Sequence, residues 1–322
     1  MAPTPPDPQL VQAQALLGAG RIPEAMLLLT RLAAQNDAGA LMRLAELRWT
    51  GAGVPANQAE ARDLFRRAGI AGDRTAAQWF TNLLASGIAG PCDWPAALAR
   101  LKTEAKHDPA RAATLAILAQ MELTSDGVPT AVSTGETCST APSVTFFPSL
   151  FSAAECDYLR RFAEPHYAPS FVNSGNGRLV RDTMRTSDGA TLAWLIEDPA
   201  VHALNRRLAA ASGTDAGQGE ALQILRYRPG QEYRPHLDFV RTTANNRVLT
   251  ALVWLNADFQ GGETQFVKTG LALKGRKGDA IVFRNAGPDN QPDPLSEHAG
   301  LPVTKGTKYL ASRWIREHRW AP

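Results

Sequence analysis

Residues 222–238 read LQILRYRPGQEYRPHLD, and this stretch decides how the second half of the chain folds. Two runs with strand-forming residues flank Pro229-Gly230, a dipeptide typical of turns. The pattern therefore predicts two strands joined by a turn. On the second strand His236 and Asp238 are two residues apart, so we expect both side chains on the same face.

The residue types at the end of this stretch favour a metal site. His236, Asp238 and the later His298 supply two imidazoles and one carboxylate. That ligand set leaves coordination positions open and is typical of non-haem Fe(II) oxygenases. Lys308, ten residues after His298, supplies the cation that an acidic co-substrate on the metal would need. The four residues together predict a reaction class.

Turn residues separate further strand-like runs in the second half of the chain. The predicted strands are 143–147, 221–226, 231–237, 248–255, 263–266, 280–283, 296–300 and 308–316. Two helices are predicted beside them, over 152–162 and 199–211, and Ser152 with Glu155 has the pattern of a capping box. Helices outside a strand-rich core predict a double-stranded jelly roll.

The first third of the chain has the apolar spacing of helices and repeats itself. Ala40, Leu44, Leu47 and Gly51 match Ala76, Phe80, Leu83 and Gly87, each 36 residues later. A period of this length is typical of α-solenoids, and the alternative is a non-repetitive helical bundle. The predicted fold class is α+β. The predicted domains are a helical repeat domain at 1–124, a linker at 125–142 and a catalytic domain at 143–322.

The second half resembles the prolyl 4-hydroxylase-type 2-oxoglutarate/Fe(II) dioxygenases. The resemblance begins in residues 222–238 and covers essentially all of 143–322. It continues through 247–250, 254–256, 261–266, 277–280, 298–303, 306–308 and 314–316. The first domain resembles a Sel1-like or tetratricopeptide-type repeat over about 38–110.

The resemblance implies a ligand set and a list of cofactors. His236, Asp238 and His298 would hold Fe(II), and catalysis would use 2-oxoglutarate and O2, with ascorbate as a further candidate. Asp238 favours hydroxylation, because related halogenases lose this carboxylate so that a halide can bind.

Further residues acquire roles by the same resemblance. It places Lys308, Tyr227 and Thr264 on the distal carboxylate of 2-oxoglutarate, Trp314 in the oxoacid pocket and Arg247 near the substrate mouth. Residues 181–187 resemble a mobile segment at the entrance, and the glycine-rich residues 173–177 precede it. We therefore expect a lid that orders over bound substrate.

Three functions stay open at this point. The leading hypothesis is hydroxylation of a prolyl residue in a protein or peptide, which the helical repeats would dock. The rival substrate is a free amino acid or other small metabolite. A third reading is an interaction or sensing protein in which the repeats bind a partner and hydroxylation is secondary or lost.

Bulk composition limits the remaining choices. The chain has 322 residues and is 44% hydrophobic, which is enough to bury a core. A net charge of +3 without charge clusters argues against nucleic acid or an anionic membrane as partner. Three scattered cysteines, the absence of a secretory pattern and the absence of a long apolar run predict a cytoplasmic protein.

Overall fold

The computed structural model describes residues 7–173, 179–181, 183–240, 244–287 and 289–320. The chain divides into two compact units. The first comprises the chain up to residue 115 with residues 194–199, and the second comprises 116–193 with 200–321. The domain limits expected from the sequence, at 124 and 142, stay a prediction.

Helices occupy the first part of the chain. They are α1 (Pro8–Gly18), α2 (Ile22–Ala34), α3 (Ala38–Thr50), α4 (Gln58–Ile70), α5 (Arg74–Ser86), α6 (Trp94–Glu104) and α7 (Pro109–Leu118). The 36-residue repeat is visible in these bounds, because α5 begins 36 residues after α3 and α6 begins 36 residues after α4. The predicted helical repeat is therefore confirmed.

The repeat preserves its helix caps as well as its spacing. An Asp37 side-chain oxygen accepts a hydrogen bond from the backbone N–H of Ala40 at 2.7 Å, and Asp73 caps α5 through Ala76 at 2.8 Å. Such caps satisfy backbone donors that the first helical turn leaves unpaired. Within the part of the chain that the structure describes, no helix is both long and apolar enough to cross a membrane.

The second unit contains two further helices and the strands. The helices are α8 (Ala153–Ala163) and α9 (Pro199–Ser212). The strands are β1 (Glu136–Thr140), β2 (Ser143–Phe147), β3 (Ala168–Pro169), β4 (Phe171–Asn173), β5 (Leu179–Arg181), β6 (Asp188–Leu192), β7 (Leu222–Tyr227), β8 (Tyr233–His236), β9 (Arg247–Trp254), β10 (Phe259–Gly261), β11 (Thr264–Phe266), β12 (Ala272–Leu273), β13 (Ala280–Arg284), β14 (His298–Gly300), β15 (Val303–Gly306) and β16 (Lys308–Arg316).

Antiparallel pairing arranges these strands into a larger sheet, a smaller sheet and two two-stranded sheets, β10-β15 and β4-β5. The larger sheet has the order β1-β2-β13-β9-β16-β7-β6-β3, and the smaller has the order β12-β11-β14-β8. Trp254 and Phe283 of the larger sheet and Phe266 of the smaller sheet belong to one buried cluster. Two sheets that share a core form the predicted double-stranded jelly roll, which is confirmed.

Agreement with the sequence is closest where apolar residues alternate or caps are explicit. The bounds of β2 and β16 are as predicted, and Ser152 forms the expected capping box with Glu155. β1 lies inside the predicted linker and pairs with β2. Its sequence, ETCST, is polar and mostly exposed, so it carries no apolar alternation by which a strand could be recognised.

Candidate active site

His236, Asp238 and His298 form one compact cluster. One nitrogen or oxygen from each lies within 4.8 Å of the others. Nε2 of His236 is 3.6 Å from Oδ1 of Asp238, and Nε2 of His298 is 3.7 Å from Oδ2. Asp238 and His298 are buried, and His236 is half-buried. The three atoms converge on a point where they could hold one metal ion.

Strand pairing brings the two histidines together. β8 and β14 are antiparallel neighbours in the smaller sheet, and His236 is directly opposite His298 in their register. β8 ends at His236, so Asp238 lies just past the strand, and the prediction that placed it on the strand is wrong. Its carboxylate nevertheless faces both imidazoles.

The hydrogen bonds of the histidines determine which ring nitrogen is free. Nδ1 of His236 lies 2.8 Å from the carbonyl oxygen of Arg234, and Nδ1 of His298 lies 3.0 Å from that of Ser296. A carbonyl oxygen only accepts, so each Nδ1 must carry the proton. Each Nε2 therefore keeps its lone pair, which is the arrangement of a metal-binding histidine.

The charges of the cluster suit a cation. Burial alone would raise the pKa of Asp238, but His298, His236 and a hydrogen bond from Thr250 outweigh burial and hold the pKa below its usual range. Burial lowers the pKa of His298 to about 4, so this imidazole is neutral near pH 7. An ionised carboxylate beside a neutral imidazole can bind a divalent metal.

Lys308 and Tyr227 lie on neighbouring strands beside this cluster. They are register partners on β16 and β7, and the Nζ of Lys308 is 5.4 Å from the centre of the Tyr227 ring. Nζ donates to the carbonyl oxygen of Gly262 at 2.7 Å. Lys308 and Thr264 are each 2% exposed, and both line the same cavity as the cluster. A buried lysine in such a cavity is suited to bind a carboxylate.

Comparison with known proteins places this geometry in a family. Residues 222–316 match the model of the 2OG-Fe(II) oxygenase superfamily. Prolyl 4-hydroxylase 1 of Arabidopsis thaliana is 35% identical over 202 residues, which cover 56% of this chain and 71% of that protein. The chain belongs to the prolyl 4-hydroxylase-type 2-oxoglutarate/Fe(II) oxygenases. Probable prolyl 4-hydroxylase 3 of the same plant is 33% identical over 205 residues, with the same coverage of both chains.

Solved structures also resemble parts of the chain. A viral collagen prolyl hydroxylase of Paramecium bursaria Chlorella virus-1 is 25% identical, with a TM-score of 0.43 over 54% of this chain and 95% of the other. A Sel1 repeat protein of Oxalobacter formigenes is 27% identical, with a TM-score of 0.30 over 33% of this chain and 46% of the other.

Members of this oxygenase family require Fe(II), 2-oxoglutarate and O2. The donor set fits Fe(II), because two imidazole Nε2 atoms and one ionised carboxylate leave coordination positions open for a chelating co-substrate and O2. The lining of the cavity also suits a dicarboxylate, since it contains both the cation of Lys308 and the cluster of His236, Asp238 and His298.

Four further polar side chains line the cavity although they were not predicted as site residues. They are Arg185, Tyr233, Thr250 and Ser312. The ring of Tyr233 stacks on His236 with 3.5 Å between ring centres, and Thr250 Oγ1 is 2.6 Å from Oδ2 of Asp238. Sequence reasoning missed them because a tyrosine or threonine on a strand has no metal-ligand signature of its own.

The guanidinium of Arg247 lies over the ring of Trp314. The guanidinium carbon of Arg247 is 3.6 Å from the Trp314 ring centre, and its Nε and Nη2 donate to Glu220 at 2.7 and 2.9 Å. Trp314 lines the cavity, whereas Arg247 is not among the described residues that do so. Arg247 thus supports Trp314 from outside the cavity, and its contact with substrate stays a prediction.

The predicted lid falls partly on residues outside the described part of the chain. Residues 174–178 and 182 lie outside the described part of the chain, and this prediction stays untested. The described end of the segment includes Arg185, whose Nη1 donates to Oε1 of Gln223 at 3.1 Å.

The protonation of Lys308 predicts how 2-oxoglutarate binding depends on pH. Burial lowers the pKa of Lys308 to about 8, partly offset by the nearby charge of Glu263. The ammonium that attracts a carboxylate is present below this pH and is lost above it. We expect the dissociation constant of 2-oxoglutarate to rise as the pH increases through about 8, measured on protein loaded with Mn(II).

The Lys308→Arg variant is the control for this titration, because a guanidinium stays protonated across that range. Its dissociation constant should be flat near pH 8, even if binding is weaker overall. An equal pH dependence in both proteins would show that another group titrates.

Proposed function

We propose that this protein is an Fe(II)- and 2-oxoglutarate-dependent hydroxylase of prolyl residues in a protein or peptide. His236, Asp238 and His298 hold Fe(II). Lys308, Tyr227 and Thr264 bind the distal carboxylate of 2-oxoglutarate, Trp314 borders the oxoacid, and Arg247 contributes to the substrate mouth. The observation that carries the proposal is the convergence of the three ligand atoms beside a buried lysine in one cavity.

Bound Fe(II) with 2-oxoglutarate and O2 supplies the oxidant that places one oxygen atom in a substrate C–H bond, while 2-oxoglutarate is decarboxylated to succinate. The chain's own residues position the reactants. The Nδ1 hydrogen bonds keep both imidazole Nε2 atoms turned inward, and Lys308 orients the co-substrate from the opposite end. The buried aromatic side chains around His298 keep water from that side of the site.

Two observations favour a prolyl substrate. The plant relatives that match over 71% of their length are prolyl 4-hydroxylases. In addition, Tyr233 and Trp314 line the cavity, and flat aromatic side chains suit a rigid, apolar pyrrolidine ring. A free amino acid would instead need partners for its own ammonium and carboxylate groups.

Mass spectrometry can test this proposal directly. The full-length protein with Fe(II), 2-oxoglutarate and O2 should add one oxygen atom to proline-containing peptides and release an equal amount of succinate. Free proline and a panel of small metabolites serve as the competing substrates. Hydroxylation of a small metabolite without any peptide product would refute the protein-substrate proposal, and an absence of succinate would refute the reaction itself.

The helical repeats are proposed to dock the protein substrate. Repeated helix pairs present extended surfaces that other proteins use for binding. If they act so here, the full-length enzyme should have a higher kcat/KM for an intact protein substrate than for a short peptide with the same proline. Equal values would argue against docking.

We further propose a reducing, cytoplasmic location. Cys92 and Cys138 are exposed, and the structure joins none of the three cysteines of the described residues in a disulfide. Exposed thiols outside disulfides are ordinary in reducing compartments and rare in secreted proteins.

A further inference from the structure

A chain of buried hydrogen bonds connects Asp238 to Thr250 and, through Thr250, to Asn285. Thr250 Oγ1 lies 2.6 Å from Oδ2 of Asp238, and the Nδ2 of Asn285 lies 2.9 Å from the same Thr250 oxygen. Asp238, Thr250 and Asn285 are 4%, 1% and 0% exposed. Water does not compete for these hydrogen bonds, so they can control the orientation of the carboxylate.

Donor and acceptor chemistry gives the chain one direction. An ionised carboxylate only accepts, so the hydroxyl of Thr250 must donate to Asp238. A hydroxyl has one proton, and Thr250 therefore has only lone pairs left for Asn285. Asn285 must therefore donate from its Nδ2 to the oxygen of Thr250. Because Nδ2 carries protons, the hydroxyl proton of Thr250 cannot point toward Asn285.

The backbone holds both residues in place. Thr250 is on β9, between Phe283 of β13 and Trp314 of β16 in the register of the larger sheet. Asn285 follows β13 directly, and its backbone N–H donates to the carbonyl oxygen of Val248 at 2.9 Å. Asp238, by contrast, lies past the end of β8. The rigid sheet thus orients a carboxylate whose own backbone is not in a strand.

We propose that Thr250 and Asn285 are positioning residues that hold the Asp238 carboxylate with one oxygen bound by Thr250 and the other turned to the metal. This inference rests on the proposed metal-binding function of Asp238. Oδ2 accepts the hydroxyl proton of Thr250 and lies 3.7 Å from Nε2 of His298, and Oδ1 lies 3.6 Å from Nε2 of His236. A carboxylate held in this way gives the metal one oxygen, which leaves a coordination position that a two-oxygen contact would occupy.

Metal binding tests the inference without relying on turnover. The Thr250→Val variant keeps the side-chain shape and removes the hydroxyl, and we expect it to bind Co(II) about 10- to 100-fold more weakly. Its visible Co(II) spectrum, which reports coordination number and geometry, should also change. Thr250→Ser keeps the hydroxyl and should restore most of the affinity and the wild-type spectrum.

Asn285 is tested by combining variants. Asn285→Leu should weaken Co(II) binding less than Thr250→Val, because Thr250 can still donate to Asp238 but is no longer held. The double variant should bind no more weakly than Thr250→Val alone, since Asn285 acts only through the hydroxyl. Thr145→Val, the same change on β2 of the larger sheet, is the matched control and should bind Co(II) as the wild type does.

Several results would overturn the inference. The first is a folded Thr250→Val protein with the Co(II) affinity and spectrum of the wild type. The second is a Thr250→Ser protein that does not restore them. The third is a double variant whose loss of Co(II) affinity is the sum of the two single losses. A failure of the proposed function can be distinguished from these results, because the wild-type protein would then bind Co(II) but release no succinate with Fe(II). A wild-type protein that binds no Co(II) would refute both.

Discussion

Asp238→Ala should abolish succinate production. The substitution removes the only carboxylate of the His236, Asp238 and His298 cluster and leaves two imidazoles to hold a divalent cation. We expect turnover to fall by at least about a thousandfold, equivalent to about 4 kcal/mol of lost stabilisation. Succinate release with Fe(II) and 2-oxoglutarate measures turnover, and a Co(II) titration measures the accompanying loss of metal binding.

Asp157→Ala provides the matched control for this variant. Asp157 is a partly exposed carboxylate whose Oδ1 accepts from Lys277 at 2.7 Å, and an exposed pair of this kind contributes little to stability. The Asp157→Ala variant should release succinate at the wild-type rate. Substantial turnover by a folded Asp238→Ala protein would contradict the metal assignment.

Lys308→Met should raise the dissociation constant of 2-oxoglutarate about 30-fold or more, because losing the partner of a buried charge costs about 2–5 kcal/mol. The lysine is 2% exposed and lines the cavity that holds the metal-binding cluster. Its loss would leave the distal carboxylate of 2-oxoglutarate without its cation. Titration of Mn(II)-loaded protein with 2-oxoglutarate gives the affinity directly.

Lys274→Met is the matched control. The Nζ of Lys274 also donates to a backbone carbonyl, that of Phe259, at 2.8 Å, yet Lys274 is not among the described residues that line the cavity. We expect 2-oxoglutarate affinity close to the wild-type value in this variant, and unchanged metal affinity in both. Equal losses of 2-oxoglutarate affinity in the two variants would indicate a general effect of positive charge and not a specific carboxylate site.

The sequence was sufficient for the features that depend on residue type and local spacing. His236, Asp238, His298 and Lys308 could be recognised because metal ligands and a buried cation require particular side chains. The 36-residue helical repeat could be recognised because apolar and small residues recur at the same offset. The jelly roll followed from strand-like runs separated by turns.

Local spacing did not reveal features that depend on neighbouring strands. β1 lies in residues 125–142, which turn and linker composition predicts to be a linker, and its pairing with β2 makes it a strand. The extent of β8 was overestimated by the pattern around His236, since pairing with β14 ends there. The position of Arg247 at the substrate mouth stays a prediction, and its guanidinium donates to Glu220, a pairing that no local pattern in the sequence indicates.

The sequence by itself therefore determined the chemistry of this protein: two imidazoles, a carboxylate and a lysine in an order that predicts an oxygenase. Only the tertiary structure decided how those groups are held. The register of β8 with β14 sets His236 opposite His298, and the register of β16 with β7 sets Lys308 opposite Tyr227. The pairing of β9 with β13 brings Thr250 and Asn285 together, and only the folded chain brings them to Asp238, because their separation along the chain carries no signal.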